Sequence, residues 1–277
     1  MSARLCFLAL LAALATASAA PLRADPAPVR VLLLGDSTVQ GSAPRAVAPE
    51  ADSLETVIQK LLAADPALPP VEVLNKGQNG DTVRGLLTNR YAREVLGLPG
   101  AKPDYILIRY GINDYSHYPH FVTEFPAAYH ELIARLRQDY PQALVTVETI
   151  FPFYDEATNE RINDLIRQVA AEEKLPLLDT NARCVEETKL LGPHSLTQRY
   201  LTSLDPIPEK LRALIPKNCI IYGTNICVED NSLDVHFREV PGWFGDGHPN
   251  LAGYHVIGDE IAKYLAPLIA KRDAPGE

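Results

Sequence analysis

Short aliphatic runs alternate with longer amphipathic stretches along most of this chain, and that alternation restricts the fold more than any other feature. The apolar runs are Val29–Leu34, Val71–Leu74, Tyr105–Tyr110, Leu144–Phe151 and Leu175–Leu178. Between them lie Ser53–Ala64, Thr82–Leu96, Phe125–Tyr140 and Glu160–Glu173, and a last helical stretch runs from about Leu251 to Ala270. In the first of these Leu54, Val57, Ile58, Leu61 and Leu62 recur on one helical face, and Pro126 suits the first turn of the third. Continuous apolar strands separated by helices are strands buried on both faces, so the expected class is α/β with a central parallel sheet. Residues 181–245 break the pattern with many prolines, scattered charge and no clean period. So long a span is more than a connection, and it reads as an insertion folded over the carboxyl ends of the strands, without becoming a second domain.

The amino terminus reads as a leader. Arg4 precedes the uncharged apolar run Leu5–Leu14, and Ala17-Ser18-Ala19 supplies a small-residue cleavage site. The run is too short to span a bilayer. The organisation expected is a signal peptide at 1–19, a Pro-rich leader at 20–28, a folded domain at 29–271 and a tail at 272–277. Such a protein is secreted or periplasmic and has no membrane span. Loss of Arg4 moves the formal charge from −9 to −10, which argues against nucleic acid or an anionic membrane as partner. Three cysteines remain, Cys184, Cys219 and Cys227. "CIIYGTNIC" reads as a small hairpin, which favours a Cys219–Cys227 disulfide, with Cys184 to either as the alternative. None has metal-ligand spacing, and nothing fixes an oligomeric state.

Ligands of open parallel sheets bind at the carboxyl ends of the strands, and four polar motifs fall there. Gly35-Asp36-Ser37 follows the first strand, "NKGQNGDT" with Gly77 and Gly80 the second, and "YGIND" with Asn113 and Asp114 the third. "GDGHPNLAGY", with Asp246 and His248, precedes the final helix. Acyl transfer needs these residue types together. A serine hydroxyl requires a neighbouring base, which an imidazole supplies near neutral pH. The oxyanion of the tetrahedral intermediate requires N–H donors, which corner backbone amides and an asparagine side chain supply.

The set resembles the SGNH (GDSL-type) hydrolases, a family of serine esterases. The resemblance covers about Val29 to the final helix, apart from 181–245, and rests on four motifs in the same order. It implies a three-layer α/β/α sandwich of flavodoxin-like type, with Ser37 as nucleophile and His248 as base. It also implies an oxyanion hole of the Ser37 and Gly80 amides and the Asn113 side chain, and no metal or other cofactor. One spacing departs from the family, which usually has Asp-x-x-His where this chain has Asp246-Gly247-His248. Asp246 reaches His248 only if Gly247 takes an unusual backbone conformation; otherwise a backbone carbonyl orients the ring of a Ser–His dyad. Exported members often deacetylate polysaccharides, so the expected substrate is a small-molecule or polysaccharide ester, first an O-acetylated carbohydrate. The alternatives are a lipid or short-chain acyl esterase, lysophospholipase or thioesterase, or a non-catalytic carbohydrate-binding relative.

Each residue also has a plainer reading. Ser37 and Gly80 suit turns, Asn113 suits a helix cap, and Asp36 and Asp114 suit local hydrogen bonding. Asp234 and His236 in "DVHF" are the rival catalytic pair by spacing. His117 and His120 are loop histidines, of which His117 is a candidate substrate contact. Trp243, beside Phe244, is a candidate apolar or sugar-stacking wall, to which Tyr110, Tyr115 and Tyr118 would add.

Overall fold

A computed structural model describes residues 27–272. The signal-peptide reading, most of the leader and residues 273–277 of the tail lie outside the described residues. Five strands form one all-parallel sheet: β1 (Val29–Gly35), β2 (Val71–Asn75), β3 (Tyr105–Arg109), β4 (Leu144–Glu148) and β5 (Leu177–Leu178), in the order β2-β1-β3-β4-β5. The chain moves outward from β1 to β2 and then returns across β1 to β3. The crevice at the carboxyl ends of β1 and β3 is therefore the topological switch point, where such sheets place their ligands.

Two short helices follow β1, α1 (Ser37–Gln40) and α2 (Ser42–Val47), then α3 (Leu54–Ala63). After β2, α4 begins with one α-turn at Val83–Gly85 and continues in wider π-type turns through Leu86–Leu96. Next come α5 (Ile112–His117), α6 (Phe121–Asp139), α7 (Glu156–Glu172), α8 (Thr180–Leu191), α9 (Glu209–Arg212), α10 (Asp234–Phe237) and α11 (Leu251–Arg272). Alternate strand residues feed opposite faces. Leu32, Leu34, Ile106 and Ile108 pack with α4, α6 and α7. Val31, Leu33 and Leu107 pack with α3, α11 and Cys184 of α8. Those are the three layers expected, and among the described residues no helix is long and apolar enough to cross a membrane.

Helix α6 starts four residues before the expected boundary, because Glu124 accepts from the His120 backbone N–H and caps the earlier turn. Pro126 thus sits in the second turn, where its ring nitrogen has no N–H to donate to the Val122 carbonyl. The 181–245 stretch is more ordered than its sequence indicates. Its first part is α8, packed on α11 in the sheet's own outer layer. The rest carries a second, antiparallel sheet of β6 (Arg199–Leu201), β7 (Ile220–Ile221) and β8 (Asn225–Val228), in the order β6-β8-β7. This small sheet has its own apolar cluster, in which Val47 of α2 meets Leu201, Ile226, Phe237 and Trp243. The expected hairpin is present as β7–β8, but Cys184, Cys219 and Cys227 are all free thiols.

Candidate active site

Ser37 opens α1 at the point where β1 leaves the sheet. Asp36 caps the helix, its Oδ1 accepting from the Thr38 backbone N–H at 2.9 Å and the Thr38 hydroxyl at 2.8 Å. The Val39 and Gln40 amides donate to the Asp36 carbonyl, which leaves the Ser37 N–H, first in the helix, outside these bonds. Burial pushes the Asp36 carboxyl above its ordinary range, and the Thr38 hydrogen bonds and Arg109 oppose that rise. The Ser37 carbonyl accepts from the Gly41 N–H at 3.1 Å and from the Tyr254 hydroxyl at 3.2 Å. Underneath, the Arg109 guanidinium donates to the Thr38 carbonyl and to Glu148 Oε2, each at 3.1 Å, and Thr180 donates to the same carboxylate oxygen. In this hydrogen-bonded corner Ser37 stays 7% exposed.

His248 arrives from the far end of the chain. Its Nε2 lies 2.8 Å from Ser37 Oγ, and its Nδ1 lies 2.7 Å from Asp246 Oδ1. The same Oδ1 accepts from the His248 backbone N–H at 2.7 Å. This Asx turn folds the carboxylate back onto the ring two residues ahead, so the short spacing still pairs acid with base. The unusual backbone expected at Gly247 is not found, since its φ lies outside the left-handed region. Glycine is needed there for room instead: a Cβ would lie 2.2 Å from the Phe153 carbonyl oxygen. The Phe153 ring meets the imidazole edge-on at 4.9 Å. Burial raises the Asp246 carboxyl, but the His248 hydrogen bonds outweigh it and hold the group below the usual carboxylate range. Pairing with His248 thus favours the ionised form of Asp246.

Two further loops border the crevice. Gly80 has φ +72°, a left-handed turn open to glycine at no steric cost. The Asn113 side chain donates to the Asp81 carbonyl at 3.0 Å, which uses one amide hydrogen to fix its direction and leaves the second free to donate. Asp114 clamps these loops together, accepting from the Val83 N–H at 2.9 Å and the Gly111 N–H at 3.1 Å. Its burial pushes the carboxyl up to about 7. Asp36 and Asp114 thus hold the loops in place, as their residue types indicate.

A cavity of about 220 Å³ opens beside the pair, lined by Ser37, His248 and Asp246 together with Pro44, Asn79, Gln198, Tyr200 and Tyr222 among others. Gln198, Tyr200 and Tyr222 come from the 181–245 stretch, in which no motif pointed to them. Gln198 is a buried hub: its N–H donates to the His248 carbonyl at 3.0 Å, and its amide lies 3.4 Å from Asp246 Oδ2. Behind it the Cys227 sulfur lies 3.1 Å from Glu229 Oε1 and 3.5 Å from Gln198 Oε1, and burial pushes the Glu229 carboxyl up to about 7.

Several expected contacts lie elsewhere. Trp243 is 1% exposed, and its indole N–H donates to Asp234 inside the small apolar cluster, so it is no substrate wall. Asp234 is also bound by Arg199 at 2.7 and 2.8 Å, which removes it as a partner for His236. Tyr110 is buried on Asp81, Tyr115 packs on Phe121 and Tyr154, and Tyr118 accepts from the Arg84 N–H. His117 is exposed on α5, its ring against the Asn113 carbonyl, and is not part of the cavity wall. His255 is an exposed residue of α11. Among the described residues no group of three or more His, Cys, Asp or Glu is placed to hold a metal ion.

A hydroxyl hydrogen-bonded to an imidazole, itself backed by an ionised carboxylate, can be deprotonated as it attacks a carbonyl. The sequence profile of the "GDSL-like Lipase/Acylhydrolase family" matches residues 33–256. No curated protein sequence matches. Among solved structures, Axe2, an acetylxylan esterase from Geobacillus stearothermophilus, superposes with a TM-score of 0.55 at 19% identity, over 85% of this chain and 93% of that one. LAE5, an alpha/beta hydrolase enzyme from the metagenome of Lake Arreo, gives 0.54 at 20% identity over 88% and 95%. A putative lipolytic protein of the G-D-S-L family from Desulfitobacterium hafniense DCB-2 gives 0.50 at 15% over 85% and 98%. At these identities the superpositions speak for the fold.

Proposed function

Because the chain belongs to the GDSL-like lipase/acylhydrolase family, and is thereby a carboxylic ester hydrolase, we propose that it is an exported serine esterase whose reaction is O-deacetylation of carbohydrate. Ser37 Oγ attacks the ester carbonyl as His248 Nε2 takes its proton. The oxyanion receives the Ser37 and Gly80 N–H groups and the free hydrogen of the Asn113 amide, each such donor contributing about 10²–10³ in rate. The C–O bond then breaks, and His248 returns the proton to the departing sugar hydroxyl. Water, deprotonated by His248, attacks the acyl carbon; the bond to Ser37 Oγ breaks, His248 returns the proton to Oγ, and the carboxylic acid leaves. Asp246 holds the imidazole and stabilises it while it is charged. The observation that carries this reading is the continuous relay Ser37–His248–Asp246, at 2.8 and 2.7 Å.

The substrate class rests on the cavity. Asn79, Gln198, Tyr200 and Tyr222 give its wall hydrogen-bonding groups and ring faces, which suit a sugar better than a long acyl chain. Axe2, which shares the fold, is an acetylxylan esterase. Export rests on the leader at 1–19.

Acetate release from p-nitrophenyl acetate and from acetylated xylan, for wild type and Ser37→Ala, tests the reading. Loss of a nucleophile of this kind is expected to lower kcat on the order of 10⁴–10⁶-fold. Undiminished turnover by Ser37→Ala would remove Ser37 from the mechanism. A preference for long-chain over acetyl esters would transfer the assignment to a lipid esterase. Polysaccharide binding without turnover would make the protein a binding relative.

A further inference from the structure

Tyr222 occupies a position that backbone chemistry does not favour. Tyr222 and Gly223 both have positive φ, +49° and +88°, at the reversal between β7 and β8. The three-residue loop Tyr222–Thr224 thus opens with a bulky side chain at positive φ, which is an outlier for such a residue. The ring is not buried in compensation, for Tyr222 is 64% exposed. It lines the cavity beside Ser37 and His248, and its hydroxyl reaches across to the Ser42 carbonyl of α2 at 3.5 Å. Strain held by an exposed side chain at the rim of a reactive site points to a ligand.

The cavity's position narrows which part of the substrate that ligand is. Its wall includes Ser37, His248 and Asp246, while Gly80 and Asn113 are not part of it. Apart from Ser37 itself and Asn79, next to Gly80, its wall is drawn from the base's side of the nucleophile and from α2. His248 protonates the departing alcohol, so that side receives the alcohol portion of the ester. A pyranose has an axial C–H face that packs on an aromatic ring, and equatorial hydroxyls that bond to an amide such as that of Asn79.

Resting on the carbohydrate-esterase reading above, we propose that Tyr222 is a specificity-determining residue whose ring seats the sugar bearing the ester, on the leaving-group side of Ser37 and His248. Tyr222→Asn is the decisive variant, because asparagine suits the turn backbone while removing the ring. Relative to wild type, the ratio of kcat/KM for acetylated xylo-oligosaccharide to that for p-nitrophenyl acetate is expected to fall about tenfold, mainly through KM, the loss of one well-placed aromatic contact. Tyr222→Phe is expected to recover most of that ratio, and the thermal midpoint of Tyr222→Asn is expected not to fall. In a Ser37→Ala background, the Kd for unacetylated xylotetraose should rise about tenfold on Tyr222→Asn, by the same reasoning. An unchanged ratio in Tyr222→Asn, or equal loss on both esters, would overturn the proposal, as would identical xylotetraose affinities. A wild type inactive on every ester would instead overturn the esterase reading, and the binding comparison would still decide the role of Tyr222.

Discussion

Gly247 leaves one residue between acid and base, and the pairing survives because Asp246 Oδ1 accepts from both the backbone and the ring of His248. Two substitutions separate the charge from the geometry. Asp246→Ala removes the group that orients the imidazole, and kcat is expected to fall about 10²–10⁴-fold with KM little changed. Near-normal rates would instead mean a Ser–His dyad. Gly247→Ala keeps every polar group but puts a Cβ 2.2 Å from the Phe153 carbonyl oxygen. Because this contact is with backbone, the loop must move and carry His248 with it. A loss of at least tenfold in kcat/KM is expected, since misplacement of about 1 Å can cost 10²-fold; an active Gly247→Ala enzyme would show that the loop has slack. The catalytic candidates could be found in sequence because each lies in a Gly- and Asp-rich corner after an apolar run. Gln198 carries no such mark, and its role depends on His248 and Asp246 being brought to it from 48 or more residues away.

At the scale of elements, the ends of β3 and β4 meet under the α1 corner through Arg109 and Glu148, whose side chains are 1% and 3% exposed. Removing one partner of a buried pair strands the other charge, so Glu148→Gln is expected to destabilise the protein by about 3–5 kcal/mol. The double variant Arg109→Met/Glu148→Leu is expected to recover most of that loss, because neither charge is then buried. Denaturant midpoints of the wild type and the two variants check both statements, and a double variant as unstable as Glu148→Gln would show that the pair contributes more than mutual neutralisation. This pair also marks where sequence reading runs out. The strands were legible because both faces are apolar, and the helices because one face is. Arg109 ends an otherwise apolar run, and nothing in the run shows that its charge turns inward. The small β6-β8-β7 sheet was legible only as the β7–β8 hairpin, since strands of two to four residues are too short to show a period. Trp243 was misplaced for a related reason: an aromatic next to a reactive loop looks the same in sequence whether it faces solvent or, as here, the core.

Across the whole molecule, two buried carboxylates set an acid-side preference. Asp114 and Glu229 are both raised by burial to about 7. The folded state therefore holds protons that the unfolded chain has released, and stability falls as pH rises from about 4 to about 7. Asp246 acts in the opposite sense, its contribution being lost only as pH falls through its lowered value. Unfolding free energy is thus expected to be greatest in mildly acidic solution. Glu229→Gln should flatten its decline toward neutrality by roughly 2–3 kcal/mol, as read from denaturant titrations at several pH values; an undiminished slope would mean that Glu229 does not carry it. The loop bearing His248 is fastened to the insertion at several points. Gln198 N–H bonds its carbonyl, Thr197 bridges to Pro249, and Asn250 bonds the carbonyls of Ser195 and Thr197. The segment that shapes the cavity is therefore also the mounting of His248. A graft of this insertion from a relative is therefore expected to change the cavity wall and the seating of His248 together.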